Sequence, residues 1–274
     1  MKTSEHVRGE FILVTPAMAK EWLKKNTKQN RSIRRYVRQK YLSSMAAGQW
    51  QECNGETIKF DRDGNLIDGQ HRLEALIEFG KPLWFLVAYN CCSKAFATID
   101  TGSNRRACDM LSIRGSHNCT ALAAALTLLS RYENKKMQAA GRHVSNVEVL
   151  ELEENHPDME KSVDLAQSHT GPKGFIRGSI MAFVHYLGSR KHGEAKATEF
   201  LLAVCRDEPS SNDQPIRLLR RRLINNLASA GKLTKVDLAA LVIKSWNLFV
   251  AGNTAAECGC LSWKSKVEDF PELM

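Results

Sequence analysis

The fold of the first part of the chain is set by the stretch Thr57–Leu76, T-I-K-F-D-R-D-G-N-L-I-D-G-Q-H-R-L-E-A-L. Two short runs with apolar residues flank Asp61–Gly64, whose polar residues and glycine are typical of a tight turn, and together they predict a β-hairpin. Asp68 and Gly69 then end the second strand. From Gln70 onward the apolar residues recur at helical spacing. The stretch therefore predicts a hairpin, a glycine break and a helix.

The segments on either side of this stretch extend the same small sheet. Gly80 and Pro82 end the predicted helix, and the apolar run Leu83–Tyr89 predicts a buried strand after it. Before the hairpin, Phe11–Val14 predicts a further strand, and a helix over 16–25 starts at a Thr-Pro pair that is typical of a helix N-terminus. The first part of the chain therefore mixes strands and helices.

Beyond Asn118 the sequence predicts helices almost throughout, and we expect a helical bundle there. The helices are expected at about 120–132, from 145, and at about 157–168, 173–188, 194–206, 213–230 and 234–251. We therefore predict an α+β fold with two domains. Residues 1–115 would form a small mixed sheet with helices, and residues 116–274 an all-α helical bundle domain.

Composition limits the class of protein. The chain has 274 residues, of which 43% are hydrophobic and 25% charged, and these ordinary values exclude disorder of the whole chain. No run of about 18 apolar residues occurs, so we expect no membrane partner. The first residues lack the apolar core of a signal peptide, and we expect a cytoplasmic protein.

Cysteine spacing supports the same compartment. Eight cysteines are present without any C-x-x-C pair, whereas structural zinc sites use paired ligands two to four residues apart. We therefore predict reduced thiols. The C-x-C pair Cys258 and Cys260 leaves metal or redox chemistry open.

Positive charge is concentrated in one short stretch. The formal net charge is +9, and Lys20–Lys40 carries nine basic residues against a single acid, Glu21. A helix is predicted from a cap at Asn30 or Ser32 to about Ala47. One face of this helix would carry Ile33, Tyr36 and Val37, and the opposite face would carry the four arginines Arg31, Arg34, Arg35 and Arg38. Nucleic-acid contact and a merely solvated face remain equally open. The candidate nucleic-acid-binding residues are Lys28, Arg31, Arg34, Arg35 and Arg38.

The strand-to-helix break carries the candidate chemistry. The first turn of a helix presents N–H groups and partial positive charge, and a glycine there lets a ligand approach the backbone. Gly69, Gln70, His71 and Arg72 would thus form a phosphate cradle, in which Arg72 grips a phosphate by two hydrogen bonds and His71 donates to an oxyanion or shuttles a proton. Asp68 would hold Mg²⁺ or act as a base.

A plainer alternative exists for the same residues. Asp68 would then only cap the helix, and Arg72 would form an ion pair with Glu56 or Glu74.

A second glycine-bearing turn has the same form and strengthens the phosphate hypothesis. Its backbone N–H groups around Gly102 would form an anion nest before a helix, with two arginines beside them. Two such turns in one domain indicate a polyphosphate ligand, while a helix capped by Ser103 with solvated arginines is the alternative. The candidate phosphate-binding residues here are Thr101, Gly102, Ser103, Asn104, Arg105 and Arg106.

The residues quoted above carry a resemblance to a known family. Thr57–Leu76, with L-I-D-G-Q-H-R-L-E-A at its centre, resembles the ParB/sulfiredoxin-like superfamily, including ParB-like proteins of bacteriophages and bacteria. The resemblance covers about Phe11–Leu111. It implies a ParB/sulfiredoxin-like nucleotide-binding domain, and this fold hosts several activities.

The branches of that superfamily imply different functions. ParB partition proteins bind CTP through G-E-R-R, of which this chain keeps Gly69 and Arg72. Free-serine kinases carry D-G-H-H-R, which Asp68, Gly69, His71 and Arg72 match, whereas the sulfiredoxin cysteine is replaced by Gln70. D-G-Q-H-R itself resembles a regulator of DNA phosphorothioation.

From the residues and this resemblance we predict a protein that binds a nucleoside triphosphate, ATP or CTP, with Mg²⁺ and couples nucleotide binding to DNA binding. A second copy of the chain, in a homodimer, is a further candidate partner. Two alternatives remain open. One is a phosphotransferase acting on a small molecule or modified nucleoside, with Asp68 or Glu56 as base. The other is a DNA-binding regulator or nuclease-like protein with a vestigial nucleotide site.

A second basic cluster lies in the helical part. Arg217, Arg220, Arg221 and Arg222 share a predicted helix, and they indicate either nucleic-acid contact or a bundle surface balanced by nearby acids. Those acids are Asp207, Glu208 and Asp213.

Overall fold

The computed structural model describes residues 6–27, 32–92, 105–139, 144–170, 175–205, 214–228, 233–252, 261–265 and 267–274. These residues form eleven helices and four strands, so the chain has an α+β fold. It divides into two compact units, Met1–Asn104 and Arg105–Met274. The boundary predicted from the sequence, after residue 115, lies beyond the first helix of the second unit.

The described elements of the first unit are, in chain order, β1 (Arg8–Val14), α1 (Pro16–Lys24), α2 (Arg35–Ala46), β2 (Thr57–Asp61), β3 (Leu66–Asp68), α3 (Gln70–Phe79) and β4 (Leu83–Cys91). The four strands form a mixed sheet with the order β1-β4-β2-β3. Strand β4 pairs antiparallel with β1 and parallel with β2, and β2 pairs antiparallel with β3.

Local chemistry places the ends of these elements. Thr15 caps α1 by accepting a hydrogen bond from the Met18 amide at 3.2 Å. In the hairpin, Asp61 Oδ1 accepts hydrogen bonds from the amides of Asp63 and Asn65, and Gly64 has a φ of 79°. Strands β2 and β3 and helix α3 thus begin and end close to the predicted positions, because these turn signals are local.

One face of the sheet packs against helices and forms the core of the unit. Ile58 and Phe85 on the strands and Leu73 and Leu76 on α3 are almost fully buried. Side chains alternate between the two faces of a strand, so this pattern sets the register of the sheet. The core fixes α3, and with it the Asp68–Arg72 turn, against β2.

Helix α2 differs from its prediction. It begins at Arg35 with Arg34 as N-cap, rather than at Asn30 or Ser32. Of the four arginines predicted on one helical face, Arg35 and Arg38 lie in α2, Arg34 is its N-cap, and Arg31 lies outside the described residues. Arg38 lies on the side that packs against α3 and pairs with Glu78 at 3.4 Å. Tyr36, predicted on the opposite, apolar face, is 56% exposed, because the core contacts of α2 begin only at Tyr41.

The second unit is helical, apart from its last described residues. Its helices are α4 (Ala107–Ile113), α5 (Cys119–Glu133), α6 (Asn146–Asn155), α7 (Asp158–Thr170), α8 (Gly178–His192), α9 (Glu194–Cys205), α10 (Gln214–Ala228) and α11 (Lys235–Val250). Trp246 of α11 is fully buried in the core of the bundle. Ser145 caps α6 through the Glu148 amide at 3.0 Å, as its sequence pattern predicts.

Within the second unit, one residue of the predicted basic cluster is not on the surface. Arg220 is buried, donates to the Val204 carbonyl oxygen and lies over the Phe175 ring. The acids predicted to balance the cluster, Asp207, Glu208 and Asp213, lie outside the described residues. None of the described helices has the length and hydropathy needed to cross a bilayer.

Candidate functional site

The predicted phosphate turn has the backbone that its glycine requires. Gly69 is the N-cap of α3 and has a φ of 100°, in the left-handed region. A Cβ on Gly69 would lie 2.5 Å from Ile58 Cδ1 and 3.2 Å from Ile58 Cα. Glycine is therefore needed twice, for the turn itself and for the contact between this turn and strand β2.

Gln70 and His71 are buried and bonded to the two ends of the α1–α2 connection. Gln70 Oε1 accepts a hydrogen bond from Asn26 Nδ2 at 3.0 Å. His71 Nε2 accepts one from the Arg34 amide at 2.9 Å. The two side chains are only 4% and 6% exposed. Because a backbone amide can only donate, His71 Nε2 carries no proton here and cannot donate to an oxyanion.

Arg72 is also buried and its guanidinium is occupied. Nη1 donates to a Glu56 carboxylate oxygen, and Nη2 donates to the Thr57 carbonyl oxygen at 2.6 Å and to Asp68 Oδ2 at 3.3 Å. Arg72 Cζ also lies 5.8 Å from the centre of the Tyr41 ring. The ion pair with Glu56 is the one anticipated by the plainer alternative. A phosphate would have to displace these partners.

The Asp68 carboxylate contacts two cationic side chains and accepts a hydrogen bond from a backbone amide. Lys59 Nζ lies 3.0 Å from Asp68 Oδ2, which also faces Arg72, and Oδ1 accepts from the Gly69 amide at 2.7 Å. A Mg²⁺ ion at this carboxylate would lie against two cations, so the residues fit a metal only if phosphate oxygens arrive with it. Within the described ranges, no group of three or more metal-ligating side chains is found.

The same hydrogen bonds bring cations together. Asn26 follows Lys24 and Lys25 at the end of α1, and Arg34 and Arg35 begin α2. Since Asn26 and Arg34 bond to the adjacent residues of α3 named above, the two basic runs converge at the start of this helix. All four cationic side chains belong to exposed residues.

Several predicted site residues fall elsewhere. Lys28 and Arg31 lie outside the described residues, as do Thr101, Gly102, Ser103 and Asn104. Arg105 and Arg106 belong to the second unit and are exposed at the start of α4. The amide of Arg106 donates to Asp109, and this hydrogen bond lowers the pKa of the Asp109 carboxyl.

Sequence reasoning missed Lys59, Asn26 and Tyr41. Lys59 faces Asp68 across the β2–β3 ladder, and the short hairpin turn was the signal that could have paired them. The other two come from distant elements and left no local signal. Nearby, burial raises the pKa of the Cys91 thiol above its usual value.

Comparison with known proteins adds no relative. No protein-family model, no curated protein and no solved structure gives a significant match to this chain.

Proposed function

We propose that the protein binds DNA through the α1–α2 basic surface, which we define as Lys24, Lys25, Arg34 and Arg35. The observation that carries the proposal is the pair of hydrogen bonds that joins the two basic runs at the start of α3, Asn26 to Gln70 and Arg34 to His71. DNA presents closely spaced phosphates, and a cluster of exposed cations binds such a polyanion by releasing its counterions.

The local charge balance supports a polyanion partner. Within the described part of the chain, Lys25 and Arg35 form no ion pair, and Lys24 pairs only with the exposed Glu21 at 2.7 Å. The N-termini of α2 and α3 add partial positive charge at the same place. The surface can therefore contact several phosphates at once without giving up strong internal pairs.

The experiment is a titration of the full chain against a fluorescent 20-base-pair duplex at several salt concentrations. We expect Arg34→Gln/Arg35→Gln to weaken binding and to lower the slope of log affinity against log salt by about 1.8, since each phosphate contact contributes about 0.9. Lys136→Gln/Lys161→Gln removes the same charge from exposed residues of the second unit and is the matched control. Equal slopes for both variants would refute the proposal.

A nucleoside triphosphate with Mg²⁺ is the second candidate ligand of the same unit. It is favoured by the buried Nε of Arg72, which has no hydrogen-bond partner within the described residues, and by Glu56, whose side chain is 51% exposed and able to turn away. Phosphate oxygens would then replace the Glu56 carboxylate on Arg72. If ATP or CTP binds there, Glu56→Gln should strengthen binding by removing a competing anion.

Thermal shift with Mg-ATP and Mg-CTP tests this second candidate. A true ligand should stabilise the wild type by mass action and the Glu56→Gln variant by more. If neither protein shows a shift in melting temperature, no nucleotide binds at this site. DNA binding without a nucleotide, as in the regulator hypothesis, would then remain. The phosphotransferase alternative draws no support from the site, because both candidate bases, Glu56 and Asp68, are engaged with Arg72.

A further inference from the structure

Helix α10 presents a basic outer face with exposed apolar residues. It contains no acidic residue, and its exposed residues recur from Arg217 to Ala228, over about three turns. Ile224 and Leu227 are 50% and 55% exposed. Within the described residues, the side chains of Arg221 and Arg222 take part in no hydrogen bond or ion pair. The α10 outer face consists of Arg217, Arg221, Arg222, Ile224, Asn225 and Leu227.

The inner side of α10 fixes this face in place. Ile216, Leu219 and Leu223 are fully buried in the bundle core. Arg220 donates to the Val204 carbonyl oxygen, and Ser245 of α11 donates to the Pro215 carbonyl oxygen at 3.0 Å. The outer face is therefore presented by a rigid helix, and its exposure does not arise from loose packing.

The chemistry of the face fits duplex DNA better than a lipid surface. An amphipathic helix binds lipid by burying its large apolar face in the bilayer, but the apolar face of α10 is already buried in protein. A helix is about 10–12 Å wide and enters a major groove of about 12 Å. Guanidinium groups bind phosphate or guanine by two hydrogen bonds, and aliphatic side chains contact the thymine methyl group.

We propose that the α10 outer face is a second DNA-contacting surface, with Arg221 and Arg222 binding phosphates or guanine edges and Ile224 contacting a thymine methyl. It extends the proposed function, because it adds a DNA contact in the second unit.

The test uses the full chain and the same duplex titration. We expect Arg221→Gln/Arg222→Gln to weaken duplex binding about tenfold or more. The salt slope should fall by about 0.9 for each of the two arginines that contacts a phosphate, and by about 1.8 if both do. Ile224→Ser, which removes no charge, should leave the slope unchanged but reduce discrimination between thymine-containing sites and their uracil-containing counterparts, which lack the methyl group. Thermal unfolding should be close to wild type for these exposed positions.

The outcomes separate this inference from the proposed function. If Arg221→Gln/Arg222→Gln binds like Lys136→Gln/Lys161→Gln, the α10 proposal is wrong, whatever the α1–α2 basic surface does. If Arg221→Gln/Arg222→Gln loses affinity for phosphatidylserine vesicles but not for the duplex, the α10 outer face binds lipid and the α10 proposal is again wrong. If only Arg34→Gln/Arg35→Gln binds like the control, the proposed function fails while the α10 inference stands.

Discussion

Replacing Arg72 by methionine should destabilise the first unit even when no ligand is present. The guanidinium is nearly buried and joins β2, β3 and the connection before β2 through Thr57, Asp68 and Glu56. Methionine has a similar length but no donor. If Arg72 were instead held ready for a phosphate, its removal would have little effect on the unliganded fold.

The expected magnitude follows from these contacts. The charged hydrogen bond to the Thr57 carbonyl contributes about 1.5–3 kcal/mol. The carboxylates are partly solvated, with side chains 22% exposed at Asp68 and 51% at Glu56, so together they add only about 1 kcal/mol. Asp68 keeps Lys59 as partner, which limits the penalty. We therefore expect a loss of about 3 kcal/mol in the free energy of unfolding.

Hydrogen exchange with peptide mapping measures this change for α3 separately from the helical unit. A loss of about 3 kcal/mol corresponds to roughly 100-fold faster exchange of the protected α3 amides. Glu56→Gln is the matched control, because it removes only the more exposed partner and should change exchange less than about fivefold. Exchange of Arg72→Met within fivefold of wild type would refute the structural role assigned to Arg72.

Three further predictions concern stability and thiol chemistry. Gly69→Ala should destabilise the first unit by about 2–5 kcal/mol in urea unfolding, because strain at positive φ adds to a clash with Ile58; Ile58→Val, which removes the clashing Cδ1, should recover part of the loss. Burial lowers the pKa of His185, so neutral His185 stabilises the fold fully above its usual pKa of 6.5, and this stabilisation is lost as the pH falls below that value. In unfolding measurements from pH 7 to 5, His185→Leu should lack this pH-dependent loss of stability. Burial raises the pKa of Cys205 to about 11, so mass-spectrometric mapping at neutral pH should find iodoacetamide on the exposed Cys53 well before Cys205.

Local sequence signals predicted most of the first unit. The Asp61–Gly64 turn, the Thr15 cap and the glycines at 69 and 80 each act within a few residues, and the structure has elements at those places. The predicted start of α2 was wrong, because no side chain caps the N-terminus of this helix. Arg34 instead occupies the N-cap position, and its amide is bound by His71, far along the chain.

The site could be located but not interpreted from sequence. The D-G-Q-H-R string does mark the strand-to-helix turn, as predicted. Its side chains point into contacts with distant segments, since Gln70 meets Asn26, His71 meets Arg34 and Arg72 meets Glu56. The sequence offered Glu56 as a partner of Arg72 only as an alternative, and it carries no information about the Asn26 and Arg34 contacts, because burial depends on the packing of several elements. The D-G-Q-H-R residues were therefore equally compatible with a phosphate-binding turn and with a network of internal hydrogen bonds.

Photochemical cross-linking of the bound duplex to the full chain, followed by peptide mapping, shows whether both basic runs contact DNA. We expect cross-links in two separate peptides, one from the end of α1 around Lys24 and Lys25 and one from the start of α2 around Arg34 and Arg35. Both should disappear together at high salt, since both depend on phosphate contact. Cross-links confined to one of these peptides, or absent from both, would contradict the claim that the two basic runs form one DNA-binding surface.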